Sequence, residues 1–258
     1  MNLHHSACRP IYLNTIKTEY LYHIMRRIFG IMAVTCLTSL GALAQSTEGF
    51  FLSKVGAKME YTITHGPKRK LAIGGSYIIK EITRVDTTEN SRIRIITKTL
   101  TLNKKRKPSS MLGVKDGSYT ATEIASDGSY TIGGLLFGQR TESANCTGFL
   151  LKIPRDMEVG DTIEGGTSVE MMKEVGINQK FSTTYSNVKV IDERDLTTPA
   201  GTFHCYVVKC DSKFEYGRNA LIEEDEYWLA KGIGIVLYKT YNYGNNHTYY
   251  YELTSLSM

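Results

Sequence analysis

Past residue 44 this sequence carries only three histidines, His65, His204 and His247, each far from the others along the chain. No His-x-x-x-His, Cys-x-x-Cys or nucleophile-elbow spacing occurs, so neither a zinc site nor a catalytic triad has a local anchor. Proline is scarce, with five in the whole chain, and there is one tryptophan, Trp228. No apolar run reaches the roughly 20 residues that a membrane-spanning helix needs. A strong charge of one sign is missing too. Residues 1–44 take +3 of the formal +5 with them through Arg9, Lys17, Arg26 and Arg27 against Glu19, leaving about +2 on the rest. That excludes an electrostatic case for nucleic acid. The one basic run, Lys104-Lys105-Arg106-Lys107, reads as a solvated loop.

What is present begins with an export signal. Met25-Arg26-Arg27 supplies a positive start, Ile28 to Leu37 an apolar stretch, and Ala42-Leu43-Ala44 the small residues that a signal peptidase reads. Cleavage there makes Gln45 the first mature residue, and intact mass of protein recovered from cells tests it. Residues 1–24 lack any apolar period and read as an extension from a start codon placed too far upstream. Cys36 follows Ala33-Val34-Thr35, and threonine is too large beside a lipidated cysteine. The organisation expected is therefore 1–24 extension, 25–44 signal peptide and 45–258 a single domain with no transmembrane span. Of the cysteines in that domain, Cys205 and Cys210 are five apart, so on one strand they point to opposite faces. Any disulfide must then use Cys146.

From residue 57 onward apolar residues recur with a period near two, rich in β-branched and aromatic side chains. This predicts antiparallel strands over 57–65, 76–86, 91–102, 117–125, 128–132, 146–153, 167–175, 180–193, 202–214, 220–229, 233–243 and 246–255. Turn residues separate them: Asp-Gly at 116 and 127, glycine pairs at 74, 133 and 165, and Asn-Asn at 245. The parity of buried residues switches after Ile93 and Ile95 to Ile96, Leu100 and Leu102, which predicts a β-bulge near Ile95-Ile96. Helix is expected at most in 134–143.

Three features bear on function. The acidic run Glu223-Glu224-Asp225-Glu226 has neither the alternating oxygens nor the glycine of a calcium loop. It reads as an exposed or edge strand kept soluble by charge, with at most two carboxylates on one face. Tyrosine is frequent, 17 in the chain, and clusters at Tyr238, Tyr241, Tyr243, Tyr249, Tyr250 and Tyr251. Phe203, Cys205 and Val207 form an apolar row on one face of their strand, and His204, Tyr206 and Val208 the other row. His204, Tyr206, Tyr249 and Tyr251 are the candidate face for a ligand or partner. No cofactor or metal site is expected, and His204 lacks a carboxylate or nucleophile close by in sequence.

The segments Thr198-Pro199-Ala200-Gly201-Thr202-Phe203-His204-Cys205-Tyr206-Val207-Val208 and Tyr227-Trp228-Leu229-Ala230-Lys231-Gly232-Ile233-Gly234-Ile235-Val236 carry a resemblance. With Ile153-Pro154, Met157 and Val159-Gly160-Asp161-Thr162, they resemble the TapB-like group of exported bacterial proteins of unknown function. The likeness covers about the last hundred residues and rests on scaffold positions. It implies a single, strongly curved antiparallel sheet, an open half-barrel like that of periplasmic lipoprotein carriers, with no catalytic residue carried over. The expectation is an all-β exported protein of the periplasm or cell surface that binds a hydrophobic molecule, a lipid or an envelope protein without catalysing. Two rivals are an enzyme whose acid and base meet only in space, through His204 or His247, and a structural module pairing by a sheet edge.

Overall fold

Period-two alternation with few prolines leaves the backbone one economical way to satisfy its hydrogen bonds, which is lateral pairing of strands. A computed structural model shows this pairing for residues 49–72, 76–88, 92–109, 117–133, 145–174 and 177–258. The signal peptide and its upstream extension, the glycine pair at 74, Asp116 and the 134–143 segment lie outside the described residues. Among those described there is no helix, and the strands are β1 Lys58–His65, β2 Lys70–Leu71, β3 Tyr77–Thr87, β4 Ile93–Leu102, β5 Ser118–Ile124, β6 Tyr130–Ile132, β7 Asn145–Gly148, β8 Leu151–Ile153, β9 Glu164–Gly165, β10 Thr167–Glu174, β11 Ile177–Thr198, β12 Gly201–Tyr216, β13 Asn219–Ala230, β14 Gly234–Asn242 and β15 His247–Ser257.

They form one antiparallel sheet in the order β7-β10-β11-β12-β13-β14-β15-β1-β3-β4-β5-β6-β8-β9, with β2 added beside β1. The sheet is not closed into a barrel. Its two ends nevertheless approach. The main chain around β9 hydrogen-bonds to β11 through Ile163 N to Val188 O at 2.9 Å, Val190 N to Asp161 O at 2.9 Å and Gly160 N to Val190 O at 2.8 Å. These bonds stitch the seam of a strongly curled open sheet.

The single strand expected over 146–153 is two, because Gly148 sits at φ +83 and turns the chain between β7 and β8. A side chain on Gly148 would meet the Thr167 carbonyl at 2.1 Å, so both backbone angle and space require glycine. The bulge expected near Ile95-Ile96 lies one strand over. Ile82 pairs with Thr97 and Arg84 with Ile96, so the extra residue is Thr83 in β3. β4 itself pairs with β5 from Ile93 to Thr99 without a shift of register, and Leu102 at its end is buried as well as Ile95 and Thr99. β11 is longer than expected and bulges between Ser186 and Lys189, where Asn187 takes φ +53.

One core cluster joins Val208, Tyr227, Leu229 and Tyr238 to Tyr130, Ile132, Leu151 and Ile153, strands from distant places in the sheet order. That cluster fills the inside of the curl. On β12 and β13 the alternate residues Phe203, Cys205, Val207, Trp228 and Ala230 belong to a second cluster with Met59, Ile78 and Leu253. The central strands are thus buried on both faces. Trp228, 8% exposed, stands opposite Leu237 of β14, the strand that follows the Gly232/Gly234 turn. Cys205 and Cys210 are free thiols buried in different clusters, as their spacing predicts.

Candidate functional site

Strand register lays out the inner face row by row. Val208, Tyr227, Tyr238 and Tyr251 form one row across β12 to β15, and Cys210, Asp225, Thr240 and Tyr249 the next. Ser212, Glu223, Asn242 and His247 follow, and then Phe214 beside Leu221. β11 continues the rows, with Tyr185 opposite Ser212, Thr183 opposite Phe214 and Phe181 opposite Tyr216.

The centre of this face is a carboxylate, and sequence reasoning missed it. Asp225 is fully buried on a central strand, between β12 and β14, so the expectation of a solvated edge for the acidic run is overturned. Tyr238 donates its hydroxyl to Asp225 Oδ1 at 3.0 Å and Tyr227 to Oδ2 at 3.4 Å. The Tyr185 and Tyr227 hydroxyls share a hydrogen bond at 2.6 Å. Tyr227 stacks on Tyr238 at 4.7 Å between centroids, and Tyr251 tilts against Tyr238 at 5.1 Å. Burial raises the Asp225 pKa above the ordinary aspartate value, although the surrounding hydroxyls pull it down. Burial likewise raises Tyr185, Tyr227 and Tyr238 well above the phenol range. Glu223, one row out, is held by Asn242 Nδ2 at 2.8 Å, and burial raises it too. The two remaining acids face the other way. Glu224 pairs with Lys209 at 2.9 Å, while Glu226 accepts from Trp228 Nε1 at 2.8 Å and from Lys239 at 3.1 Å. The run therefore splits two and two between the faces, and the signal that could have placed Asp225 inside was its shared parity with Tyr227 and Leu229.

Of the expected face, Tyr206 and Tyr251 do share the inner side and pack on the same core, but Tyr227 and Tyr238 stand between them. Tyr206 meets Phe50 edge-on at 5.6 Å, and Tyr249 lies beside His65 at 6.0 Å. The four candidates thus form two separated pairs.

No carboxylate lies close by His204 in sequence, but the fold brings two to it from the neighbouring strand. Asp195 stands directly opposite it on β11, and its Oδ1 lies 2.8 Å from Nδ1; Glu193 Oε1 lies 2.8 Å from Nε2. The two acids are nine and eleven residues back, which a hairpin folds into cross-strand neighbours. Glu193 and Asp195 raise the imidazole pKa, and His204 lowers that of Glu193. All three groups are exposed, so this is a surface ion-pair cluster. Burial pushes the Cys205 thiol up to about 12 and Cys210 higher still, which disfavours the thiolate at both. Among the described residues no group of three or more His, Cys, Asp or Glu converges in a way that could hold a metal.

Two features remain on the inner side. Lys80 is buried between Ile78 and Ile82 on β3, opposite Met59, with its pKa lowered to about 7 by burial. It borders a cavity of about 40 Å³ with Tyr61, Ile95, Thr97 and Ile235, far too small for a drug-sized ligand. At the strand tips the core gives way to an open aromatic shelf. Phe181 stacks on Phe214 at 5.9 Å and on Tyr216 at 6.4 Å, with Leu221 alongside and Tyr216 39% exposed.

A family model described as DUF3108-like matches residues 54–253, most of the sheet just traced. The chain belongs to the DUF3108-like family. Two solved structures share this fold. One is a protein inferred to be exported, with a YmcC-like fold, from Bacteroides fragilis NCTC 9343, at 15% identity and TM-score 0.60, covering 81% of this chain and 99% of that one. The other is an inferred lipoprotein from Parabacteroides distasonis ATCC 8503, at 15% identity and TM-score 0.62, with the same coverage. No curated protein matches. The DUF3108-like match extends well beyond the hundred residues that carried the TapB-like resemblance, and that name finds no counterpart in these matches.

Proposed function

We propose that this DUF3108-like protein is an exported, non-catalytic envelope protein that binds an amphiphilic molecule, such as a lipid, on the aromatic shelf of its inner face. The stacked Phe181, Phe214 and Tyr216 carry this reading, because they continue the inner core into the open. Deeper along the same face the space is already occupied by Tyr185, Tyr227, Tyr238 and Asp225, so a ligand lies on the shelf rather than inside a closed pocket. Four side chains offer far less than the roughly 800 Å² per partner of a stable protein interface, which favours a small amphiphile over an envelope protein. Export is supported by the signal-like segment ending at Ala44 and by the descriptions of the two fold neighbours. The non-catalytic reading is supported by chemistry: Tyr185, Tyr227, Tyr238 and Asp225 bond one another, and both ring nitrogens of His204 are taken up by carboxylates.

Native mass spectrometry of gently purified mature protein tests this. Parent protein is expected to carry a lipid-sized adduct, and Phe181→Ser with Phe214→Ser is expected to lose it while melting as a folded domain. Parent protein without adduct that also fails to bind a fluorescent fatty acid overturns the reading.

A further inference from the structure

At the same tip end of the sheet, two strands beyond the shelf, β15, β1 and β2 frame a surface cleft of about 500 Å³. That is the size of a small-molecule site. Its lining includes His65, Lys68, Lys70, His247 and Tyr250, and no carboxylate. Every ionisable group in it except the tyrosine is thus a base. His65 pairs with Tyr249 on one side and Lys70 on the other, and its ring lies 6.1 Å from that of His247. The turn that carries the lysines is fixed: Gly66 N bonds Thr248 O at 2.9 Å, and the Arg69 guanidinium sits 3.5 Å over the Tyr250 ring. The opposing turn is fixed as well. Asn245 Oδ1 accepts from His247 N at 3.0 Å, and His247 Nδ1 donates to the Asn245 carbonyl at 2.6 Å. That second bond directs Nε2 away from its own turn.

Lysines on a flexible loop are ordinarily spread by mutual repulsion and paired with acids. Here two braced hairpins hold bases around one concavity with no acid among its lining residues, on a domain whose overall charge is nearly balanced. Concave cationic walls focus potential and favour an anion. We infer that this cleft is an oxyanion site for a phosphate group, with Lys68 and Lys70 supplying charge, the His65 ring a donor, and His247, whose Nδ1–H is held by Asn245, donating through Nε2 in its protonated form. The phosphate belongs either to a small soluble ester or to the head group of an envelope lipid.

The test uses the mature domain with inorganic pyrophosphate, and separately with phosphatidylglycerol and phosphatidylcholine vesicles, at low ionic strength. Pyrophosphate is expected to bind saturably and to shift the imidazole resonances of His65 and His247. Lys68→Glu with Lys70→Glu is expected to weaken binding by about tenfold or more. Lys54→Glu with Lys105→Glu, an equal change of net charge elsewhere, is expected to leave it within about twofold. Binding confined to phosphatidylglycerol vesicles with the same variant dependence assigns the phosphate to a lipid; binding of pyrophosphate assigns it to a soluble ester or to both. The inference is overturned if neither probe binds, if both charge-reversed pairs weaken binding equally, or if the two histidines do not respond. Phe181→Ser leaves pyrophosphate binding intact, so failure of the shelf and failure of the cleft are read separately.

Discussion

Asp225 and His204 are both ionisable groups held by partners on the same sheet, and they differ in nearly everything else. Asp225 is sealed in a central strand and accepts hydrogen bonds from tyrosine hydroxyls. His204 stands on the surface between two carboxylates. The first has a pKa driven by desolvation and the second by hydrogen bonds to opposite charge. The lesson is that a buried group reports on packing and an exposed one on local pairing. Sequence ranked them the other way, with the acid as solvated and the histidine as the candidate site.

The scale for the buried side is set by Trp228, three residues along β13 on the opposite face. Trp228→Ala is expected to cost about 3–5 kcal/mol, read from the urea midpoint. A variant that melts with the parent makes that face a surface. Lys80 sharpens the point with the sign reversed. Its pKa is lowered from 10.5 to about 7, so the unfolded chain binds the extra proton between these values and stability rises with pH across that window. Lys80→Met is expected to raise stability at pH 7 by about 2–4 kcal/mol and to flatten the curve from there upward. A loss of stability with unchanged pH slope contradicts this.

Asp225→Ala is expected to cost about 1–3 kcal/mol, because it leaves the Tyr227 and Tyr238 hydroxyls without their acceptor, and Asp225→Asn less. Equal stability of Asp225→Ala and parent breaks the comparison, since the phenols would then be satisfied without the acid. His204→Ala has the smallest expected effect, under about 1 kcal/mol, as for exposed ion pairs generally. Its folded pKa is raised, so the contribution is full below the ordinary imidazole value of 6.5 and fades as pH rises through the folded value. Thermal melts of parent and variant across that range measure it, and a difference that grows toward alkaline pH refutes the assignment.

Much of the architecture was legible. Alternation located most of the strands because one buried face imposes period two whatever the partner strand. It missed β2 and β9, two residues each, which are too short to show any period. It misplaced the bulge because parity along a single strand cannot say which of two paired strands holds the extra residue; Thr83 of β3 does. The candidate site was legible only in fragments. Tyr206 and Tyr251 lie on one face, while Tyr238 and Asp225 entered only as members of a tyrosine cluster and an acidic run, without the contact that joins them.

The sequence by itself determined that this is an all-β chain, which residues share a face within each strand, and that Cys205 and Cys210 stand on opposite sides. All of these follow from covalent geometry repeating every two residues. Tertiary structure alone decided which face is inner and how the sheet curls. It put Asp225 rather than His204 out of water and brought Asp195 opposite His204. It also gathered His65, Lys68, Lys70 and His247, from hairpins nearly two hundred positions apart, around one cleft. The reason is physical: burial and charge pairing depend on which strands become neighbours, and strand order is set by the packing of the whole sheet.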